Sequence, residues 1–194
     1  MKEHTCEHEH EFALILSGVT ELTPEIQDSL FEAGCDDATI SIQRGACRIE
    51  FTRVAPSLKD AILSAINDVL KAGIHGVAVM QVDDCNLVTQ SEIARRIRRT
   101  RQLVNQYILG QRGPGGFPAP ACYLAETAPL WRWCEVSFWL DAYDMIAPGM
   151  REEAEVVAAI NNNLDRIHQF CRNPRLMREV ARKLEEMKPC EEVQ

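Results

Sequence analysis

The chain has 194 residues, of which 46% are hydrophobic, and a formal net charge of −8 at pH 7. This length is sufficient for one large or two small hydrophobic cores. The sequence contains no run of about 18 apolar residues and no basic, apolar N-terminus of the signal-peptide type. We therefore expect a soluble, cytoplasmic protein that has no membrane partner.

The eight cysteines are scattered singly and form no C-x-x-C pair. This pattern favours buried thiols over a disulfide framework. A metal site is conceivable at His4, Cys6, His8 and His10, because imidazole and thiolate bind soft metals. Glutamates alternate with these residues, so we interpret residues 1–11 as a polar leader without a metal. We expect no cofactor.

Positive charge is concentrated in the middle of an acidic chain. Residues 1–88 carry 6 Lys and Arg against 15 Asp and Glu, residues 89–140 carry 7 against 3, and residues 141–194 carry 8 against 11. The central excess of arginine could neutralise phosphates and release their counterions. An ordinary solvated helix surface can have the same composition, so the charge has to be interpreted with its sequence context.

The first predicted module, residues 12–84, alternates strand and helix patterns. Phe12–Ser17 is a short apolar run of the kind found in buried strands. One helix is predicted after Thr23-Pro24, with Ile26, Leu30 and Phe31 facing inward, and it ends at Gly34. A hairpin, a second helix and a last strand follow, at 39–52, after Ser57 and at 77–82.

This order of elements, βαββαβ, is that of a ferredoxin-like split βαβ sandwich in an α+β protein. Many unrelated functions use that fold. Three roles therefore stay open for the module, namely a dimerisation sheet, a small-ligand sensor and a purely structural domain. No nucleophile, general base and orienting group occur at a suggestive spacing, so we do not expect an enzyme.

Residues 87–142 have the layout of two short helices, a proline-glycine segment and a closing helix. Thr89 and Glu92 form a capping box for the first helix, which extends to about Ile97. The turn is Arg98-Arg99-Thr100, and Thr100 can cap the second helix.

The second helix, from Arg101 to about Leu109, has an apolar side that is expected to pack on the first helix. Its other side carries arginine, glutamine and asparagine, the side chains that pair with guanine or adenine edges in the major groove. With the neighbouring cations, the candidate DNA-binding residues are Arg95, Arg98, Arg99, Thr100, Arg101, Gln102, Asn105, Gln106, Arg112 and Arg132.

The segment 110–120 contains too much glycine and proline to be a helix, and we expect it to form a tight, hairpin-like wing that carries Arg112. Leu130–Leu140 is predicted to return as a short strand that enters a helix. Its apolar side chains, Trp131, Trp133, Val136, Trp139 and Leu140, are expected to form the core of the module.

Four pieces of this segment, Glu92–Ile97, Tyr107-Ile108, Gly113–Pro120 and Leu130–Leu140, resemble the excisionase/MerR-like winged helix-turn-helix family. The chain also resembles small bacterial helix-turn-helix proteins with an N-terminal αβ domain. The resemblance implies that the second helix enters the major groove and that the wing contacts the flanking backbone. By analogy these roles fall on Arg101, Gln102, Asn105, Gln106 and Arg112.

One residue departs from the pattern of that family. Arg98 stands in the turn where a helix-turn-helix usually has glycine. A left-handed backbone costs about 1–2 kcal/mol for a residue other than glycine. We therefore expect a turn of different geometry.

Two further helices are predicted within 150–188, at 151–170 and 175–187, on either side of Asn173-Pro174. A single amphipathic hairpin cannot bury its apolar stripe alone. We expect these helices to dock on their own domain or to pair between subunits.

The sequence thus favours a sequence-specific transcriptional regulator that binds double-stranded DNA as a homodimer, because one small module makes few base contacts. The alternative is an excisionase-like architectural protein or an antitoxin-type protein-interaction factor.

Overall fold

The structure is a computed structural model that describes residues 7–84, 86–123 and 128–187. Within these ranges the fold is α+β, with seven helices, a four-stranded antiparallel sheet and a two-stranded sheet. The elements in chain order are β1 His8–Ser17, α1 Pro24–Glu32, β2 Ala38–Gln43, β3 Ala46–Ala55, α2 Leu58–Lys71, β4 Ala78–Val82, β5 Leu87–Val88, α3 Gln90–Arg96, α4 Arg101–Ile108, β6 Trp131–Arg132, α5 Trp133–Asp141, α6 Met150–Arg172 and α7 Pro174–Glu186. Among the described residues, no helix combines the length and the apolar character that crossing a bilayer requires.

The large sheet has the strand order β2-β3-β1-β4, and every neighbouring pair is antiparallel. β1 begins at His8 rather than at the predicted Phe12, and His8 pairs with Ala55 at the end of β3. The prediction of a polar leader is therefore wrong for residues 8–11, because a long neighbouring strand provides backbone partners for these polar residues. Residues 1–6 lie outside the described residues.

The predicted hairpin between β2 and β3 is confirmed, and its turn consists of Arg44 and Gly45. Both residues have positive φ angles, 51° and 81°. A two-residue turn of this kind matches the right-handed twist of the strands that it joins. The turn sets the register in which Gln43 lies opposite Ala46.

The two helices of the sheet domain begin as predicted. The Thr23 hydroxyl accepts a hydrogen bond from Ile26 N–H, and the Ser57 hydroxyl accepts one from Asp60 N–H.

Leu30 is fully buried, but Phe31 is 64% exposed, so its predicted inward position is wrong. One short helix on a sheet buries a narrow stripe, and Phe31 lies about 100° from Leu30 around the helix.

Two hydrophobic clusters both include residues of α6. The first is built on the large sheet, α1 and α2, and includes Leu14, Ile49 and Val157. The second is built on α3, α4 and α5, and it includes Trp131 and Ala154. Because Ala154 and Val157 are neighbours on one face of α6, this helix contributes to both cores.

The C-terminal half of α6 covers the outer edge of β4. The Asn161 amide accepts a hydrogen bond from Val82 N–H and donates one to the Val82 carbonyl. The ring of His168 lies 2.8 Å from the carbonyl oxygen of Val79. Side chains of α6 thus bind backbone groups that an edge strand otherwise leaves open.

The last helix, α7, begins at Pro174, one residue before the predicted Arg175, and Asn173 is its N-cap. No residue of α7 is buried. Of the predicted helical pair, α6 therefore docks on the body of the protein, whereas α7 leaves its apolar side chains exposed.

The most extensive polar network of the sheet domain surrounds Arg53, which is 8% exposed. Its guanidinium binds both carboxylate oxygens of Asp37 and one of Asp68, and it also donates to Ser64 and to the Gly34 carbonyl. Hydrogen bonds from the guanidinium to Asp37 raise the pKa of Arg53, against the effect of burial. This network joins β3 to α2 and to the loop that follows α1.

We predict that Arg53→Ala lowers the free energy of unfolding by about 2–3 kcal/mol, because the partly buried Asp37 loses its counter-charge and Asp68 keeps only the exposed Lys71. The matched control is Arg48→Ala on the same strand, where the ion pairs with Glu50 and Asp83 are more exposed. Its expected effect is below about 1 kcal/mol. Urea unfolding of the two variants measures the difference. Equal losses of unfolding free energy would contradict the structural role given to the Arg53 network.

Candidate nucleic-acid interface

The first helix of the candidate interface, α3, is capped at its N-terminus by Thr89. The threonine hydroxyl accepts a hydrogen bond from Glu92 N–H, as predicted. Among the described residues, however, the Glu92 carboxylate binds Arg95 and Arg96. The predicted reciprocal bond of the capping box is therefore replaced by an ion-pair network on the same helix.

The turn between α3 and α4 adopts the left-handed conformation despite its arginine. Arg98 has a φ of 52°. Arg98 N–H donates to the Arg95 carbonyl and Arg99 N–H donates to the Ala94 carbonyl, the hydrogen-bond pattern of a Schellman motif. The expectation of a different turn geometry is therefore wrong. The two hydrogen bonds hold the chain in a conformation that a residue other than glycine rarely adopts.

The second helix, α4, starts at the predicted residue and is capped by Thr100, whose hydroxyl accepts from Leu103 N–H. Val104 is fully buried, and Tyr107 and Ile108 pack beside it. At 100° per residue, the residues at 101, 102, 105 and 106 form one continuous arc on the opposite side. Of these residues, Arg101, Gln102 and Asn105 are exposed and Gln106 is half-buried.

A cluster of aromatic side chains lies beneath the two helices. The predicted core residues Trp131, Trp133, Val136, Trp139 and Leu140 are all buried. The Tyr107 ring contacts the Trp139 ring, with their centroids 5.5 Å apart. The exposed arc of α4 therefore rests on a rigid support rather than on a mobile loop.

The proline-glycine segment 110–120 contains no strand, so the prediction of a hairpin-like wing at these residues is wrong. Instead, Trp139 and Trp131 donate their indole N–H groups to the carbonyls of Gly115 and Pro118, at 2.9 Å and 3.0 Å. The segment is thus held flat against the tryptophans, which satisfy part of its backbone.

A close approach within this segment requires glycine at position 113. A Cβ atom at Gly113, which has a φ of 82°, would lie 3.1 Å from Cδ1 of Tyr107. The absence of a side chain lets the loop pass directly over α4, and this path leaves Arg112 exposed at the end of the helix.

Hairpin-like pairing occurs later in the chain. Cys122 forms an antiparallel bridge with Leu130, and β5 pairs with β6 through Leu87 and Arg132. Residues 124–127, between the two bridging residues, lie outside the described residues. The pairing of β5 with β6 joins segments about 45 residues apart, and no local pattern in the sequence indicates it.

The arginines of the module divide into two groups by their partners. Arg96 binds Asp84 and Glu92 and stacks over the Trp133 ring, Arg95 binds Glu92, and Arg132 binds Glu135. These three arginines are therefore neutralised within the fold. The sequence alone does not distinguish them from the other arginines of the module.

The second group consists of exposed arginines without an ion pair in the described parts of the chain. They lie in the turn, at the start of α4 and after its end, and they are Arg98, Arg99, Arg101 and Arg112. Asp144 lines the same cavity as Arg98 and Arg99 but forms no ion pair with either of them. These four guanidinium groups are available to an anion without breaking an existing contact.

The described residues contain no group of three or more His, Cys, Asp and Glu side chains arranged to hold a metal ion. His4 and Cys6 of the N-terminal cluster lie outside the description, whereas His8 and His10 belong to β1. Burial raises the pKa of the Cys35 thiol to about 11, which disfavours the reactive thiolate there.

Comparisons of this chain with protein-family models, with curated proteins and with solved structures found no match. The interpretation of the interface therefore rests on its geometry and charge.

The hydrogen bonds from Arg95 and Arg96 lower the pKa of Glu92 to about 2. A carboxylate with a lowered pKa stabilises the folded state above its ordinary pKa, and this contribution is lost as the pH falls towards the folded-state value. We predict that Glu92→Gln lowers the free energy of unfolding by about 1–2 kcal/mol at pH 7, after allowance for solvent screening of this partly exposed carboxylate.

The same difference between wild type and Glu92→Gln is expected to shrink progressively between about pH 5 and pH 2. Urea unfolding across this range measures it. The exposed Glu152→Gln serves as the control for the substitution itself. A difference that stays constant over this range would contradict the ion-pair network.

Proposed function

We propose that this protein is a sequence-specific regulator of transcription that binds double-stranded DNA and reads the major groove with α4. The observation that carries the proposal is the exposed arc of Arg101, Gln102 and Asn105, with Arg98, Arg99 and Arg112 near the ends of α4. None of these four arginines has an ion pair in the described chain. Arginine, glutamine and asparagine make bidentate contacts with base edges. The unpaired cations supply the phosphate contacts that position a protein on a duplex.

The proposal also covers the folds of residues 12–84 and of residues 87–142. We assign a ferredoxin-like arrangement to residues 12–84, supported by the element order βαββαβ and the strand order β2-β3-β1-β4. We assign a winged helix-turn-helix to residues 87–142, supported by the α3-turn-α4 unit and by the small sheet that packs with it.

In this proposal the exposed Arg132, in β6 of the small sheet, also contacts the DNA backbone. Arg112 reaches the flanking backbone from the end of α4, and Arg98 and Arg99 contact phosphates at its start. Thr100 caps α4, so its hydroxyl contributes mainly to the orientation of the helix.

We propose a homodimer in the cytoplasm as the functional form. One module with three or four base-reading side chains covers few base pairs, and a second copy doubles the recognised site. The five described cysteines outside disulfides are compatible with a reducing compartment. The proposal assigns no catalytic activity.

We predict that selection from a pool of random duplexes, followed by sequencing, enriches one motif with the wild-type protein. The double variant Arg101→Ala, Asn105→Ala is expected to lose that enrichment, because a bidentate base contact contributes about 1–3 kcal/mol of discrimination. The matched control is Arg166→Ala, which removes an exposed arginine from α6, far from the arc in sequence.

Selection at two salt concentrations separates the outcomes, because phosphate contacts weaken with salt. Enrichment that survives in the double variant would contradict the reading role of α4. Binding without any enrichment would favour the architectural alternative, and the absence of DNA binding would favour a protein-interaction factor.

We predict that Arg98→Gly raises the stability of the protein and weakens its binding to DNA. Glycine adopts the positive φ of the turn without steric cost, so the free energy of unfolding is expected to rise by up to about 1 kcal/mol. The same change removes a phosphate contact and is expected to reduce the slope of log affinity against log salt by about 1. Urea unfolding and salt-dependent fluorescence anisotropy measure the two effects. If stability rises but the affinity for DNA does not change, Arg98 does not contact DNA.

A further inference from the structure

The last helix presents an apolar stripe that nothing in the described chain covers. Leu176, Val180, Leu184 and Met187 lie at intervals of four, four and three residues, which places them on one side of α7. They are 52%, 44%, 59% and 72% exposed. Isolated exposed apolar residues are common, but a continuous stripe along a whole helix indicates an interaction surface.

A line of charges runs beside this stripe. Arg175, Glu179, Lys183 and Glu186 each precede one residue of the stripe, so they form a flank with alternating sign. Within α7, Lys183 lies 3.4 Å from Glu179, and Arg182 lies 2.6 Å from Glu186. These pairs are exposed and contribute little to stability, so they can be exchanged for contacts with another helix.

We propose that the stripe is covered by the α7 helix of a second copy of this chain, in an antiparallel pair centred on Val180. This arrangement places Leu176 of each copy against Leu184 of the other. In an antiparallel pair, like flanks face each other. Arg175 then meets Glu186 and Glu179 meets Lys183, so both types of contact join opposite charges.

A parallel pair is less complementary. Each charged flank would then face the opposite flank, where Met177, Ala181 and Glu185 follow residues of the stripe, so among the described residues only Lys183 meets an opposite charge, that of Glu185. An antiparallel contact uses the same patch on both copies and closes into a two-fold dimer. α6 docks on the sheet domain, whereas no residue of α7 is buried, so the stripe of α7 is open to a second copy.

The inference deepens the proposed homodimer by assigning its contact surface, and the pairing of α7 does not require DNA. Sedimentation velocity of the full chain without DNA, up to about 100 μM, tests it. Wild type is expected to form dimers. Val180→Glu places two like charges at the centre of the interface and is expected to weaken dimerisation at least about tenfold.

The matched control is Ala159→Glu, which adds the same side chain at an exposed site on α6. It is expected to leave dimerisation unchanged, with helix content checked for both variants by circular dichroism. A monomeric wild type overturns the proposal, and so does a Val180→Glu variant that dimerises as well as wild type.

A charge exchange tests the orientation of the pair. One chain carries Arg175→Glu with Lys183→Glu, and the other carries Glu179→Lys with Glu186→Lys. Each chain alone is expected to be monomeric, because its flank has a single sign. An equimolar mixture is expected to form heterodimers, and failure of the mixture to associate overturns the antiparallel arrangement.

Discussion

The organisation of this protein depends on one helix that belongs to two cores. Ala154 of α6 packs with the tryptophans, and Val157, one turn later, packs with the large sheet. An α-helix does not bend easily over one turn, so these contacts fix the sheet domain relative to α3 and α4. Asn161 adds two hydrogen bonds to the backbone of β4 at the same junction. The candidate interface is therefore carried by a scaffold with a defined orientation.

The arginines show how one residue type serves both folding and a candidate site. Arg53 and Arg96 have several partners and an aromatic ring each, so removing either breaks a network of ion pairs within the fold. The guanidinium groups around α4 have no such partners in the described chain. Since an exposed, unpaired cation contributes little to stability, the grouping of these four around the two ends of α4 is better explained by an external anion.

Two tryptophans order a loop in this protein, in place of the backbone pairing between strands. Indole N–H groups bind the carbonyls of Gly115 and Pro118, so the segment 110–120 is ordered without a hydrogen-bonded ladder. Phe117 fills the space between Trp131 and Trp139, with edge contacts to both rings. A segment rich in glycine and proline can thus form a defined surface when its backbone polar groups and its one aromatic side chain have partners.

The sequence alone determined the features that depend on neighbouring residues, including the capped starts of α1, α2, α3 and α4, the hairpin of β2 and β3, and the buried face of α5. Such features follow from local hydrogen bonds and from periodicity. Only the tertiary structure decided the extension of β1 to His8, the exposure of Phe31, the pairing of β5 with β6 and the division of the arginines between paired and unpaired. Each of these depends on a partner distant in sequence or on the space left by neighbouring elements, and neither is encoded in a local pattern.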